Sequence, residues 1–83
     1  MSSSLSWEPP PSETEKHYIG LKYEIGRYFD PDWNGNNGSW TGDSSLIPFL
    51  KGIVAVGQGT DATDALQLID AIEKYGEVIL TIS

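Results

Sequence analysis

The chain has 83 residues, 39% of them hydrophobic, and a formal net charge of −7 from 12 acidic and 5 basic side chains. This length suffices for one domain, which we assign to residues 12–83, after a Ser- and Pro-rich segment at residues 1–11. Lys and Arg supply most of the affinity for phosphate backbones and anionic lipid surfaces. The acidic balance therefore argues against direct binding of nucleic acid and against a membrane surface as partner.

Composition also bears on the cellular compartment. The chain contains no cysteine, so it has neither the disulfides nor the Cys-based zinc sites that stabilise many small secreted domains. Its first residues, 1–8, show neither the positive charge nor the apolar run of a signal peptide. The longest apolar run, 53–56, is too short to span a bilayer. We therefore expect a cytoplasmic protein.

The N-terminal third carries conflicting signals. Residues 1–11 end in three prolines, which cannot lie inside a helix, so this segment is expected to be a flexible tail or an edge strand. Ser12 and Glu15 have capping-box spacing, and apolar residues recur at helical spacing as far as Phe29, which predicts a helix over 12–29. A strand over residues 17–29 is the alternative, because Ile19, Leu21, Tyr23 and Ile25 also alternate.

The remainder of the chain has a clearer pattern. Residues 30–43 are rich in Gly, Asn and Asp and predict a loop, while helices are predicted at 45–56 and 61–75. Gly76 ends the second of these helices, and the β-branched residues that follow predict a strand at 77–82. This strand needs a partner, which residues 3–8, an earlier segment or a second chain in a homodimer would supply. The fold class is thus α+β, with about three helices and a C-terminal strand in a minimal sheet.

One segment resembles a metal-binding motif. Asp30, Asp32, Asn34 and Gly35 follow the pattern D-x-D-x-N-G, which resembles the first half of an EF-hand calcium loop. The resemblance implies Asp30, Asp32, Asn34 and the carbonyl of Asn36 as ligands. The last position of such a loop, where the family has a bidentate Glu, is Thr41. A loop of turn-forming residues without an ion is the alternative.

The same loop contains Trp33 and Trp40 beside Asp30, Asp32 and Asp43. Trp dominates the energetics of many protein interfaces, so these five residues are the predicted partner-binding site. The alternative is that the tryptophans cap the hydrophobic core. In that case the acidic face of the last helix, at Asp64, Asp70 and Glu73, is the next surface to consider.

These observations favour a binding protein over an enzyme. Cysteine nucleophiles are absent, and the single His17 lies in no recognisable catalytic motif. The C-terminal helix-Gly-strand segment, with the acidity and the absence of cysteine, resembles the end of barstar-type nuclease inhibitors. The leading hypothesis is a non-catalytic domain of the inhibitor, immunity or phage accessory type that docks on a basic protein surface. The alternative is a small calcium-binding or calcium-stabilised module.

Overall fold

A computed structural model describes residues 4–10 and 15–83. Within them the chain forms a four-stranded sheet and three α-helices, which confirms the α+β fold class. The elements in chain order are β1 (Leu5–Glu8), β2 (His17–Ile19), α1 (Lys22–Phe29), β3 (Gly38–Asp43), α2 (Ile47–Val56), α3 (Thr60–Tyr75) and β4 (Glu77–Ile82), with a 3-10 turn at Ser44–Leu46 before α2.

The sheet is antiparallel throughout and has the order β2-β1-β4-β3. The C-terminal strand β4 is therefore interior, paired on one side with Leu5–Glu8 and on the other with Gly38–Asp43. The strand that we expected to pair in a homodimer therefore has its partners within the chain, on both of its edges. The segment predicted as an edge strand, β1, is likewise interior, between β2 and β4.

The helices cover one face of the sheet. Alternate residues of the two central strands, such as Leu5, Leu80 and Ile82, are fully buried against the helices. Their neighbours in sequence lie on the opposite face, where Tyr18 is 67% and Ile79 36% exposed. The domain thus has two layers, with its core between sheet and helices.

The predictions for the second half of the chain are confirmed. α2 and α3 match the helices expected at 45–56 and 61–75, and β4 matches the strand at 77–82. Gly76 ends α3 with φ of 84°, and its N–H donates to the carbonyl of Ile72 at 2.7 Å. Within the described residues, no helix combines the length and the apolar character that crossing a membrane requires.

The prediction of one helix over 12–29 is wrong for most of its first half. Residues 17–19 form β2, and the helix begins only at Lys22; the proposed capping residue Ser12 lies outside the described residues. Two physical reasons explain the change. Ile19 gains burial by pairing with Leu5, and the Gly20 N–H donates to the Asp64 carboxylate of α3 at 2.9 Å, which fixes a turn there.

The prediction of a loop over the whole of 30–43 is also wrong, because residues 38–43 form β3. Gly38 and Gly42 disfavour a strand on propensity alone. Here glycine is favoured because a side chain would not fit: the Trp40 ring lies over Gly38, and Gly42 packs against Leu80. Pairing with the full length of β4 supplies the stability that local propensity lacks.

Two helical glycines provide a test of this packing. A Cβ at Gly26 in α1 would overlap the Trp33 ring, whereas a Cβ at Gly52 in α2 would meet no atom within 4 Å. We expect Gly26→Ala to lower the free energy of unfolding by about 1–3 kcal/mol through overpacking. The matched Gly52→Ala should raise it by about 0.5–1 kcal/mol through helix propensity. Urea denaturation measures both; equal stability of the two variants would contradict the packing described.

Candidate functional site

The outward face of α1 forms an open groove. A helix repeats every 3.6 residues, so burial of Ile25 and Gly26 turns the opposite positions away from the core. Four of those positions and one residue of α2 surround a groove of about 390 Å³. We call it the tyrosine groove; its residues are Tyr23, Glu24, Arg27, Tyr28 and Phe49.

Six of the nine aromatic residues form a continuous series of ring contacts around this groove. From Phe49 the series runs through Tyr28, Phe29, Trp40, Trp33 and Tyr23, with centroid separations of 4.5, 5.1, 5.6, 6.0 and 6.0 Å. Tilted, edge-on and stacked pairs of this kind contribute about 0.5–1.5 kcal/mol each beyond the area they bury. Both ends of the series line the groove, so its exposed rings are held in place by buried ones.

The two tryptophans occupy the interior of this aromatic cluster. Trp33 is only 7% exposed, and its indole Nε1 donates to the Asn37 carbonyl at 2.7 Å. Trp40 is half-buried and stacks on Phe29 with 8° between the ring planes. Both therefore pack against the core, which is the alternative that the sequence left open. Trp33 consequently offers little surface to a partner, and its contacts support the groove from below.

The proposed calcium ligands lie in one turn, where two of their oxygens accept backbone hydrogen bonds. Asp30 Oδ1 accepts from the Asp32 N–H at 3.0 Å, and Asn34 Oδ1 accepts from the Asn36 N–H at 2.7 Å. Such bonds are the usual reason that Asp and Asn favour turns. Across residues 4–10 and 15–83, no group of three or more His, Cys, Asp or Glu side chains gathers at a metal-binding spacing.

Asp43 is not gathered with the other predicted site residues. It ends β3, roughly 17 Å along the strand from Gly38, where the preceding loop enters. Its Oδ1 accepts from the Ser45 hydroxyl at 2.5 Å and from the Ser45 N–H at 3.0 Å. These hydrogen bonds, mainly the one from the Ser45 hydroxyl, lower the pKa of the Asp43 carboxyl below its ordinary value. The carboxylate thus caps the 3-10 turn that leads into α2.

A second cleft, of about 210 Å³, lies between β2 and α3. The His17 ring stacks on Trp7 at 4.1 Å, and its Nε2 is 3.5 Å from a Glu15 carboxylate oxygen. The Trp7 indole N–H is buried and has no hydrogen-bond acceptor among the described residues. These contacts give His17 a packing role in the described structure.

The acidic side chains of α3 differ in their surroundings. Asp64 is half-buried and tied to Gly20, so it is part of the structure of the β2–α1 turn. Asp70 lies at the rim of the second cleft, and Glu73 is exposed to solvent. The three carboxylates therefore do not act as one uniform acidic face.

Sequence reasoning missed the tyrosine groove. The helix predicted over residues 12–29 treated its apolar residues as far as Phe29 as one buried face. In the structure Ile25 and Gly26 form the buried side of α1, and Tyr28 lies on the other side. Burial of Gly26 depends on its contact with the Trp33 ring, which the sequence alone does not reveal.

Calcium binding by residues 30–36 stays a prediction, and melting temperature tests it. An ion bound to the folded state raises the melting temperature, and here it would share the Asp30 and Asn34 side chains with backbone N–H groups. Millimolar calcium should therefore stabilise the wild type, and Asp30→Ala should abolish the effect. Asp70→Ala, on α3, is the control that should keep it. Identical melting curves with and without calcium would contradict the prediction.

No family model, no curated protein and no solved structure matches this chain. The function is therefore inferred from the chemistry and geometry of the site.

Proposed function

We propose that this protein is a small non-catalytic binding domain that docks through the tyrosine groove on a basic, apolar protruding segment of another protein. The observation that supports the proposal is that two aromatic side chains of α1 are exposed to solvent: Tyr23 is 55% and Tyr28 41% exposed. Inhibitors, immunity-type proteins and phage accessory proteins act in this way, without chemistry of their own. The absence of cysteine favours a reducing compartment, the cytoplasm, for this activity.

The residue types of the groove are those that supply most binding energy at protein interfaces. Tyr and Arg are enriched among interface hot spots, each often contributing about 2 kcal/mol or more. Tyr28 contacts Phe49 and Phe29, and Tyr23 contacts Trp33, so the exposed rings are already ordered before a partner arrives. Prior order reduces the entropy lost on binding, which otherwise opposes association. The aromatic cluster therefore serves the groove as a rigid base.

Charge supports a basic partner. Glu24 lines the groove, and Asp30 and Asp32 are exposed just beyond the C-terminal end of α1. The helix dipole adds partial negative charge at the same end. Together with the net charge of −7, these groups attract a cationic surface and increase the rate of encounter. Among the described residues Arg27 forms no ion pair, so its guanidinium can bind a carboxylate or carbonyl of the partner.

A crosslinking experiment identifies the partner and tests the groove together. A photoreactive amino acid at position 24 should capture a basic protein from host extract, whereas the same group at Tyr18, on the far face of the sheet, should not. With the captured protein purified, Tyr28→Ala should weaken binding about tenfold or more, mainly through faster dissociation. Glu24→Gln should mainly slow association, and added salt should weaken wild-type binding.

Two controls separate binding from folding. Tyr18→Ala removes an equally large exposed tyrosine outside the groove and should leave affinity unchanged. Circular dichroism melting of each variant shows whether the fold survives, and Tyr23→Ala provides a second groove variant if Tyr28→Ala proves unstable. Wild-type affinity in folded Tyr23→Ala and Tyr28→Ala variants would rule out the tyrosine groove as the contact surface.

A further inference from the structure

The strand β3 has an unpaired outer edge. Its inner edge pairs with β4 over six residues, from Gly38 opposite Ile82 to Asp43 opposite Glu77, with no bulge. Within the described residues, the backbone of β3 makes no hydrogen bond on its other side. Such an edge is a template for another strand unless charged residues, Pro, bulges or short length protect it.

The two edges of the sheet differ in this protection. The opposite edge strand, β2, is only three residues long and directly follows Lys16. β3 is twice as long, contains neither Lys nor Pro, and runs in unbroken register. Of its outward-facing side chains, Ser39 and Thr41 are small, exposed and uncharged, and the one charged residue, Asp43, lies at the end of the strand. The unprotected edge is therefore that of β3.

We propose that β3 pairs antiparallel with β3 of a second copy of this chain, across a two-fold axis at Thr41. This pairing joins the two four-stranded sheets into one continuous sheet. Opposite residues of an antiparallel pair lie on the same face, so the register that places Ser39 opposite Asp43 of the second copy also keeps both helical layers on one side. Thr41 then meets its own equivalent, a favourable cross-strand pair, and Ser39 faces a carboxylate that its hydroxyl can bind.

The charges of the strand favour a second copy over a basic strand. Asp43 is the only charged residue of β3, so a cationic strand would find only one carboxylate to pair with along this edge. A strand with as few charges as β3 itself matches the edge better. In the proposed register the two Asp43 side chains are about 13 Å apart along the strands, beyond the Debye length of about 8 Å at physiological ionic strength. The remaining repulsion comes from the net charge of −7 on each copy, and salt screens it.

Analytical ultracentrifugation of the purified chain tests the pairing. We expect a mass twice the 9.1 kDa of the monomer at high protein concentration, and tighter association as salt is added. Thr41→Lys protects the edge and places two like charges at the axis, so it should raise the dissociation constant about tenfold or more. Thr41→Val should remain dimeric. A wild type that stays monomeric at low and at high salt would overturn the proposal.

An introduced thiol tests the register directly. The natural chain has no cysteine, so Thr41→Cys supplies a single thiol. Side chains opposite each other across an antiparallel pair have Cβ atoms about 4.5–5.5 Å apart, so a short thiol-specific bifunctional crosslinker should link the two copies. Thr63→Cys, at an exposed position of α3, should crosslink poorly. A dimer that survives Thr41→Lys and does not crosslink through position 41 would place the interface elsewhere and refute this one.

The dimerisation experiments can be interpreted independently of the experiments on the tyrosine groove. Docking of the groove on a basic partner weakens as salt rises, whereas pairing of two acidic copies strengthens. Tyr28→Ala should leave the dimer intact. Thr41→Lys should not change crosslinking of the basic partner by the photoreactive amino acid at position 24. Failure of one proposal is thereby distinguishable from failure of the other.

Discussion

The pairing of β4 on both of its edges is the interaction on which the rest of the structure depends. An isolated strand or two-stranded ribbon is at best marginally stable in water, so β4 requires neighbours. Leu5–Glu8 and Gly38–Asp43 provide them from opposite parts of the chain. Once the three strands are joined, the buried side of β4, at Val78, Leu80 and Ile82, presents one continuous apolar surface that only the helices can cover. The two-layer architecture follows from that requirement.

The same pairing produces the tyrosine groove indirectly. Trp40 is part of β3, so pairing with β4 fixes its ring where Phe29 stacks on it and Trp33 packs edge-on. Trp33 in turn occupies the space that Gly26 leaves on α1. The buried side of this short helix is thereby filled, and its two tyrosines remain on the other side. The two tyrosines of α1 are thus exposed because buried aromatic residues already fill the space between this helix and the core.

Sequence reasoning succeeded where local signals decide the structure. α3 has a long amphipathic pattern and a glycine at its end, and β4 is a run of β-branched residues, so neither depends on distant contacts for its assignment. β1, β2 and β3 are short and draw their stability from pairings between residues far apart in the chain, such as Leu5 with Ile82. Propensity carries no information on such pairings, and for Gly38 and Gly42 it points the wrong way.

The candidate site was missed for a related reason. The predicted site grouped Trp33, Trp40, Asp30, Asp32 and Asp43 in one loop, whereas Trp40 and Asp43 belong to β3 and Asp43 lies apart from the others. Composition cannot tell which aromatic rings of a cluster are buried, because that depends on the packing of Trp33 against Gly26 and of Trp40 against Phe29. The helix predicted over residues 12–29 also took its apolar residues as far as Phe29 for one buried face, whereas within α1 Ile25 and Gly26 are buried and Tyr28 is exposed.

The distribution of acidic residues connects stability with the proposed function. Lys16 lies 3.7 Å from Glu8 on the sheet, with both side chains nearly half exposed, and an ion pair so exposed contributes little to stability. Asp30 and Asp32 face solvent at the end of α1, where the helix dipole makes negative charge unfavourable. A net charge of −7 on so small a domain opposes its compact state through self-repulsion. Asp30 offsets part of this cost because its carboxylate accepts the Asp32 N–H at 3.0 Å, and the cationic partner surface that we propose would remove the remaining repulsion beside the tyrosine groove.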